Sequence, residues 1–143
     1  MLRLRAFRIY SACIFVSFVG NLAYLAAAAW IVLEMTGQVW AVPALFLVSA
    51  VPGIAFAPVV ASLAERMDRR RLLIIIDGAS GVVVLMAPIA DIFGLLAPWQ
   101  IFVQEFVVAF GGTLFFTTSR AFLREIVPTG LLLPANSVMV GVF

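Results

Sequence analysis

Four long apolar runs leave this chain few ways to fold. They cover roughly residues 9–33, 40–63, 72–92 and 99–122. Crossing the hydrocarbon core of a bilayer takes about 20 helical residues, and each run is long enough. Composition agrees, because 65% of the 143 residues are hydrophobic and only 11% are charged. Soluble domains carry about 25% charged residues, so this chain has too few to coat a water-facing surface. The expectation is an all-α, polytopic membrane helix bundle forming a single domain.

The start, Met1-Leu2-Arg3-Leu4-Arg5-Ala6-Phe7-Arg8, is basic, and small residues at Ala26 to Ala29 imitate a signal-peptide cleavage site. The apolar run that follows is longer than a signal core and leads into more membrane, so it reads as a first transmembrane helix. Glu34-Met35-Thr36-Gly37-Gln38 is a turn with a helix-stopping glycine. The second span begins at Trp40, suited to the interface, and contains Pro43, Pro52 and Pro58. Ser49, Gly53, Ala57 and Ala61 recur there every four residues, a stripe on which another helix can pack closely. Asp91, Gly94, Pro98 and Trp99 mark the next turn, and Gly111-Gly112 is a second close-approach point midway along the fourth span. A fifth apolar stretch runs from about Leu131 to Phe143, too short to cross alone, so the chain is expected to stop inside a helix.

All nine cations are arginines, and there is no histidine. An arginine-only basic set points to a GC-rich bacterial genome. With Cys13 the single cysteine, no intrachain disulfide, zinc cluster or hydrolase triad can be built, and neither an enzyme nor a cofactor is expected. Cys13 reads as a small packing residue. The basic residues sit beside membrane spans rather than along a groove, which argues against nucleic acid as a partner.

Two acids fall within spans, Asp77 in the third and Glu105 in the fourth. A carboxylate there costs several kcal/mol unless it is paired, protonated or facing water. Each is therefore either a proton or substrate site or an interfacial group satisfied by its surroundings. For Asp77, pairing with an arginine of the 66–71 segment is at least as good an account as transport chemistry. Asn21, near the middle of the first span, can donate a hydrogen bond across helices without titrating; a packing bond is the plainer role. Arg120, near the end of the fourth span, can meet an anionic headgroup or a carboxylate, or simply snorkel to the interface.

The segment Ala61-Ser62-Leu63-Ala64-Glu65-Arg66-Met67-Asp68-Arg69-Arg70-Arg71 holds most of the remaining charge. Glu65 and Asp68 interleave with four arginines, so ion pairs can tie two helix ends together and be remade in another conformation. Charge alone would equally suit a plain topogenic loop. The order of residues resembles the loop between the second and third helices of the major facilitator superfamily, Gly-x-Leu-Ala-Asp-Arg-x-Gly-Arg-Arg/Lys. Leu63, Ala64, Arg66, Arg69 and Arg70 match it, Glu65 replaces an Asp, and Ala61 and Asp68 replace the glycines. Asp68 is similar to the form found in bacterial enterobactin and macrolide exporters. Gly20-Asn21, Trp30, Glu34-x-Thr36-Gly37, Pro52 and Leu132-Leu133-Pro134-Ala135-Asn136-Ser137 also resemble that subfamily.

The resemblance implies a partial N-terminal half of a twelve-helix fold, with a C-terminal half as the missing partner. It implies alternating-access export of a small amphipathic compound, a drug or siderophore, driven by protons. Glu65, Arg66, Asp68, Arg69 and Arg70 would form the conformational-switch loop. Asn21 stands where these exporters often carry an acid, and the fourth span lacks the mid-membrane arginine of proton antiporters, so coupling through those positions is not carried over. The competing reading is a non-transporting membrane protein that assembles with another. A four-helix dimeric drug transporter fits less well, since those lack the Glu65–Arg71 pattern.

Topology follows from charge. Arg3, Arg5, Arg8, Arg66, Arg69, Arg70, Arg71, Arg120 and Arg124 fall on one side of the spans, while the intervening turns carry only Glu34 and Asp91. The positive-inside rule makes the arginine side cytoplasmic, with the N-terminus inside, in a bacterial inner membrane. Alkaline phosphatase fused after Gly37 or Gly94 should be active, and inactive when fused after Met67; activity in the reverse pattern would invert the topology.

Overall fold

In a computed structural model of the chain, residues 2–126 are described, with side chains over 9–122. The elements are α1 (Leu2–Thr36), α2 (Ala41–Ala55), α3 (Ala57–Arg66), α4 (Arg69–Ile92) and α5 (Pro98–Ile126). The described residues contain no strand, and the fold is the expected helix bundle. Ile9–Thr36 of α1, all of α4 and Pro98–Phe122 of α5 are each long and apolar enough to cross a membrane. The expected fifth stretch lies outside the described residues.

The helix ends follow from local chemistry. Gly37 takes φ +64, and its N–H donates to the Leu33 carbonyl at 2.8 Å to close α1. At the far end of α4, Gly94 at φ +66 does the same work. Its N–H donates to Asp91 and that of Leu95 to Ala90, at 2.9 and 2.8 Å. This is a Schellman closure, which needs the left-handed conformation that glycine adopts without steric penalty. α4 starts at Arg69 rather than 72 because Asp68 caps it: the Arg71 N–H donates to Asp68 Oδ1 at 2.9 Å. Capping satisfies one of the donors orphaned at a helix start, and the carboxylate also suits the positive end of the helix dipole.

The second span departs from expectation. It is not one helix over 40–63 but two, α2 and α3, bent by 60° at Phe56. Pro52 and Pro58 are the physical cause. Neither has an N–H to give, and Pro58 falls in the first turn of α3, where a helix interior would have required one. The break also splits the expected small-residue stripe. Gly53 on α2 faces Thr113 of α5, whereas Ala57 and Ala61 on α3 are exposed.

α5 is the element on which the others assemble, packing against α4, α2, α1 and α3. At the end remote from the arginines, Ala28 and Val32 of α1, Ala41 and Leu45 of α2, Ala87 of α4 and Ile101 of α5 form one core. At the arginine end, Val60 and Ala64 of α3 pack with Leu72 and Ile76 of α4 and Leu114 of α5. Phe56, at the bend, sets its ring edge-on to Phe106 and Phe110 of α5, with centroids 6.0 and 5.9 Å away. That geometry suits the quadrupoles of aromatic rings.

The α4–α5 seam is closest at Gly111. A Cβ there would lie 3.0 Å from Ser80 Oγ and 3.3 Å from Ile76 Cγ2, whereas one at Gly112 would meet nothing within 4 Å. Gly111→Leu should therefore destabilise the purified protein by about 1–3 kcal/mol through overpacking. Gly112→Ala should leave the melting temperature unchanged or raise it slightly, since alanine favours the helix. Equal losses from the two would show that the seam is not where the packing is tight.

Candidate functional site

α1 and α4 both lie on α5 and leave a cleft between them, a cavity of about 360 Å³. Ser17, Asn21 and Tyr24 enter it from α1, Asp77 and Ser80 from α4, and Glu105 from α5. These polar groups share walls with Phe18, Phe115 and Phe116. Spacing explains the convergence, because residues three, four and seven apart on a helix share one face. Ser17, Asn21 and Tyr24 follow that spacing, as do Asp77 and Ser80. Gly112, two turns beyond Glu105 on the same face of α5, adds room there, since it presents no side chain to the cleft.

The structure thus brings together three of the intramembrane residues singled out above, Asn21, Asp77 and Glu105. Their surroundings differ. Asp77 Oδ2 accepts a hydrogen bond from Ser17 Oγ at 3.0 Å, which ties α4 to α1. Pairing of Asp77 with a loop arginine was one expectation, but its hydrogen bond runs to this serine; Arg70 shares a neighbouring cavity with it. The Asn21 amide donates to the Ser17 carbonyl at 2.9 Å, within its own helix rather than across to another. Glu105 is 4% exposed, and its Oε2 has no hydrogen-bond partner. The hydroxyl of Tyr24, which lines the same cleft, is also buried without a partner.

Arg120 stands apart from the cleft's polar lining. Its guanidinium lies 4.2 Å from the centroid of the ring of Phe116, a residue that also lines the cleft, in a cation–π contact. Ser17, Ser80 and Tyr24 were not singled out from sequence. The signal that would have found them is their helical spacing from Asn21 and Asp77.

A second cavity of about 620 Å³ continues toward the arginine end. It shares Ile14, Asp77 and Phe115 with the first, so Asp77 sits where the two meet. Tyr10, Cys13, Arg70 and Phe122 line its outer part. Cys13 is exposed, not packed as its apolar neighbours suggested. The Tyr10 hydroxyl donates to the Ser119 carbonyl at 2.9 Å, and its ring meets Phe122 edge-on at 5.4 Å. These contacts hold α1 to α5 just below the cavity.

In the charged loop, Asp68 is the cap of α4 and Arg69 Nη1 donates to the Ala121 carbonyl of α5 at 3.3 Å. Glu65, Arg66 and Arg70 are exposed at the same end. One acid of the loop therefore orders a helix start, and one arginine crosses to the end of the central helix. Asp68→Ala should lower stability by about 1 kcal/mol, while Asp68→Asn, which keeps a capping oxygen, should cost only a few tenths. Thermal melting of the two variants side by side separates capping from charge: equal losses would assign the effect to charge.

The family profile described as transmembrane secretion effector matches residues 1–140. Neither a search of curated proteins nor one of solved structures found a match. Arginine-bearing helix ends, several apolar spans around a polar cleft and a family match over nearly the whole chain agree. This chain belongs to the transmembrane secretion effector family of the major facilitator superfamily, a family of membrane transporters.

Proposed function

We propose that the chain is part of a secondary active exporter of small amphipathic compounds, drugs or siderophores, working by alternating access and driven by protons in a bacterial inner membrane. The observation that carries this reading is a pair of neighbouring cavities. A polar cleft lies between spanning helices, and a second cavity toward the arginine end shares Ile14, Asp77 and Phe115 with it. A concave cleft with a few polar groups on apolar and aromatic walls is the usual form of a small-molecule site. Carboxylates inside a membrane bundle are costly and belong to substrate or proton routes when they face a cavity.

The loop supports the conformational half of the reading. Arg69 links the start of α4 to the end of α5, and α3, which leads into that loop, is already separated from α2 by the bend at Phe56. Glu65, Arg66, Asp68, Arg69 and Arg70 act together as the switch, with Arg69's contact made in one state and released in the other. The remaining half of the carrier supplies the opposite wall.

The test uses the gene in its natural reading frame through to its own stop codon, in bacterial cells stripped of their major efflux pumps. Expression should lower the steady-state accumulation of fluorescent amphiphiles, and a protonophore should abolish the difference. Gly112→Leu, which fills the cleft at a position with open space, should remove export while membrane levels of the protein stay normal. Unchanged accumulation of every compound tried would overturn the exporter reading.

A further inference from the structure

The bend at Phe56 leaves α3 as a short helix with three different sides. One side buries Val60 and Ala64, four residues apart, against α4 and α5. Val59 and Leu63, at the same spacing one residue earlier, are exposed, as is Met67 at the end of the helix. Ala61, Ser62, Glu65 and Arg66 are exposed as well. At about 100° per residue, Val59 and Leu63 fall between the buried pair and Arg66, with Ser62 and Glu65 beyond it. Protein, an apolar strip, a cation and a polar side therefore follow one another around a single helix. Among the described residues, nothing covers the apolar strip.

Length places this helix relative to the bilayer. α2 has 15 residues, about 22 Å at 1.5 Å per residue, which falls short of a hydrocarbon core of about 30 Å. The 10 residues of α3 are turned by 60°, so they advance about 7 Å along the direction of α2 instead of about 15 Å. With α2 upright, the pair only just reaches the arginine-side boundary, and α3 runs beneath that boundary at a shallow angle. Helices with an apolar strip and a polar opposite side settle there, with the strip at the junction of headgroups and acyl chains. The charge is complementary to an anionic headgroup. Arg66 closes α3, and Arg70 and Arg71 are exposed just after it, while the neighbouring acid Asp68 is engaged in capping α4.

We propose that α3 is an interfacial helix bound to anionic phospholipid. Val59 and Leu63 rest in the acyl chains of the arginine-side leaflet, Arg66 meets a lipid phosphate, and Ser62 and Glu65 face water. The inference is independent of the exporter reading, since a chain that transports nothing would carry the same helix. It makes the segment leading into the charged loop a reader of lipid composition. Anionic lipid draws α3 toward the membrane, and a neutral leaflet leaves it only its apolar contacts.

The test is spin labelling of the purified chain in nanodiscs, on a Cys13→Ser background that removes its single cysteine. One introduced cysteine at a time replaces Val59, Leu63, Ser62 or Glu65. All four side chains are already exposed, so the labels should leave the fold intact. Power saturation then compares collisions with oxygen, which concentrates among acyl chains, and with nickel ethylenediaminediacetate, which stays in water. Labels replacing Val59 and Leu63 should favour oxygen severalfold, and those replacing Ser62 and Glu65 should favour nickel severalfold. Adding phosphatidylglycerol to discs of phosphatidylcholine should lower nickel access at Val59 and Leu63, and Arg66→Gln should remove most of that response. Oxygen preference at all four positions would make α3 the inner part of a span, and nickel preference at all four would take it off the membrane. Protection from both reagents at Val59 and Leu63 would place protein on the strip. Any of these would overturn the proposal, and so would a response to phosphatidylglycerol that Arg66→Gln leaves unaltered.

Discussion

The bundle depends on how closely α4 can approach α5. Without a hydrophobic driving force between helices in lipid, association relies on close packing and on polar contacts between neighbours. Gly111 supplies the close approach, with Ser80 and Ile76 of α4 resting where a side chain would be. Once α4 is seated, Ile76 and Leu72 complete the core with Val60, Ala64 and Leu114. The same seating brings Asp77, next to Ile76, and Ser80, itself at that contact, to the wall of the cleft. One glycine therefore bears on both the packing and the site.

The bundle shows how a membrane protein divides its polar groups. Most are satisfied locally: Thr36, Thr113 and Thr117 donate to carbonyls four residues back in their own helices, and Asn21 does likewise. Ser17 and Tyr10 instead reach another helix, at Asp77 and Ser119. Glu105 Oε2 and the Tyr24 hydroxyl are buried without a hydrogen-bond partner. Burying a polar group unsatisfied costs free energy that packing must offset. Where two such groups adjoin in a cavity, the cost is a reason to look for a ligand.

The charged loop has two kinds of contact within eleven residues. The structure shows the means by which its residues are anchored. Asp68 fixes the first turn of α4, and Arg69 reaches the Ala121 carbonyl at the end of α5. The neighbouring bend at Phe56 lets α3 take a direction of its own, while the rings of Phe106 and Phe110 hold the corner in place.

Three of the spans, the turns at Gly37 and Gly94 and the family were legible in the amino-acid order. Run length and the placing of nine arginines are local properties, and helix closure at Gly37 and Gly94 is set within a few residues. The second span was harder. Prolines are tolerated in membrane helices when neighbours re-satisfy the freed carbonyls, so Pro52 and Pro58 do not by themselves say whether the helix bends or breaks. Here the prolines break the span, and the ring of Phe56 packs against α5 at the corner. Likewise, sequence picked out Asn21, Asp77 and Glu105 as polar groups in apolar runs, because charge in hydrocarbon is costly wherever it occurs. That they share one cleft, that Ser17 rather than an arginine serves Asp77, and that Glu105 is left without a partner depend on how three helices rotate about their axes. Rotation is set by contacts between residues far apart in the chain, and only the tertiary structure contains them.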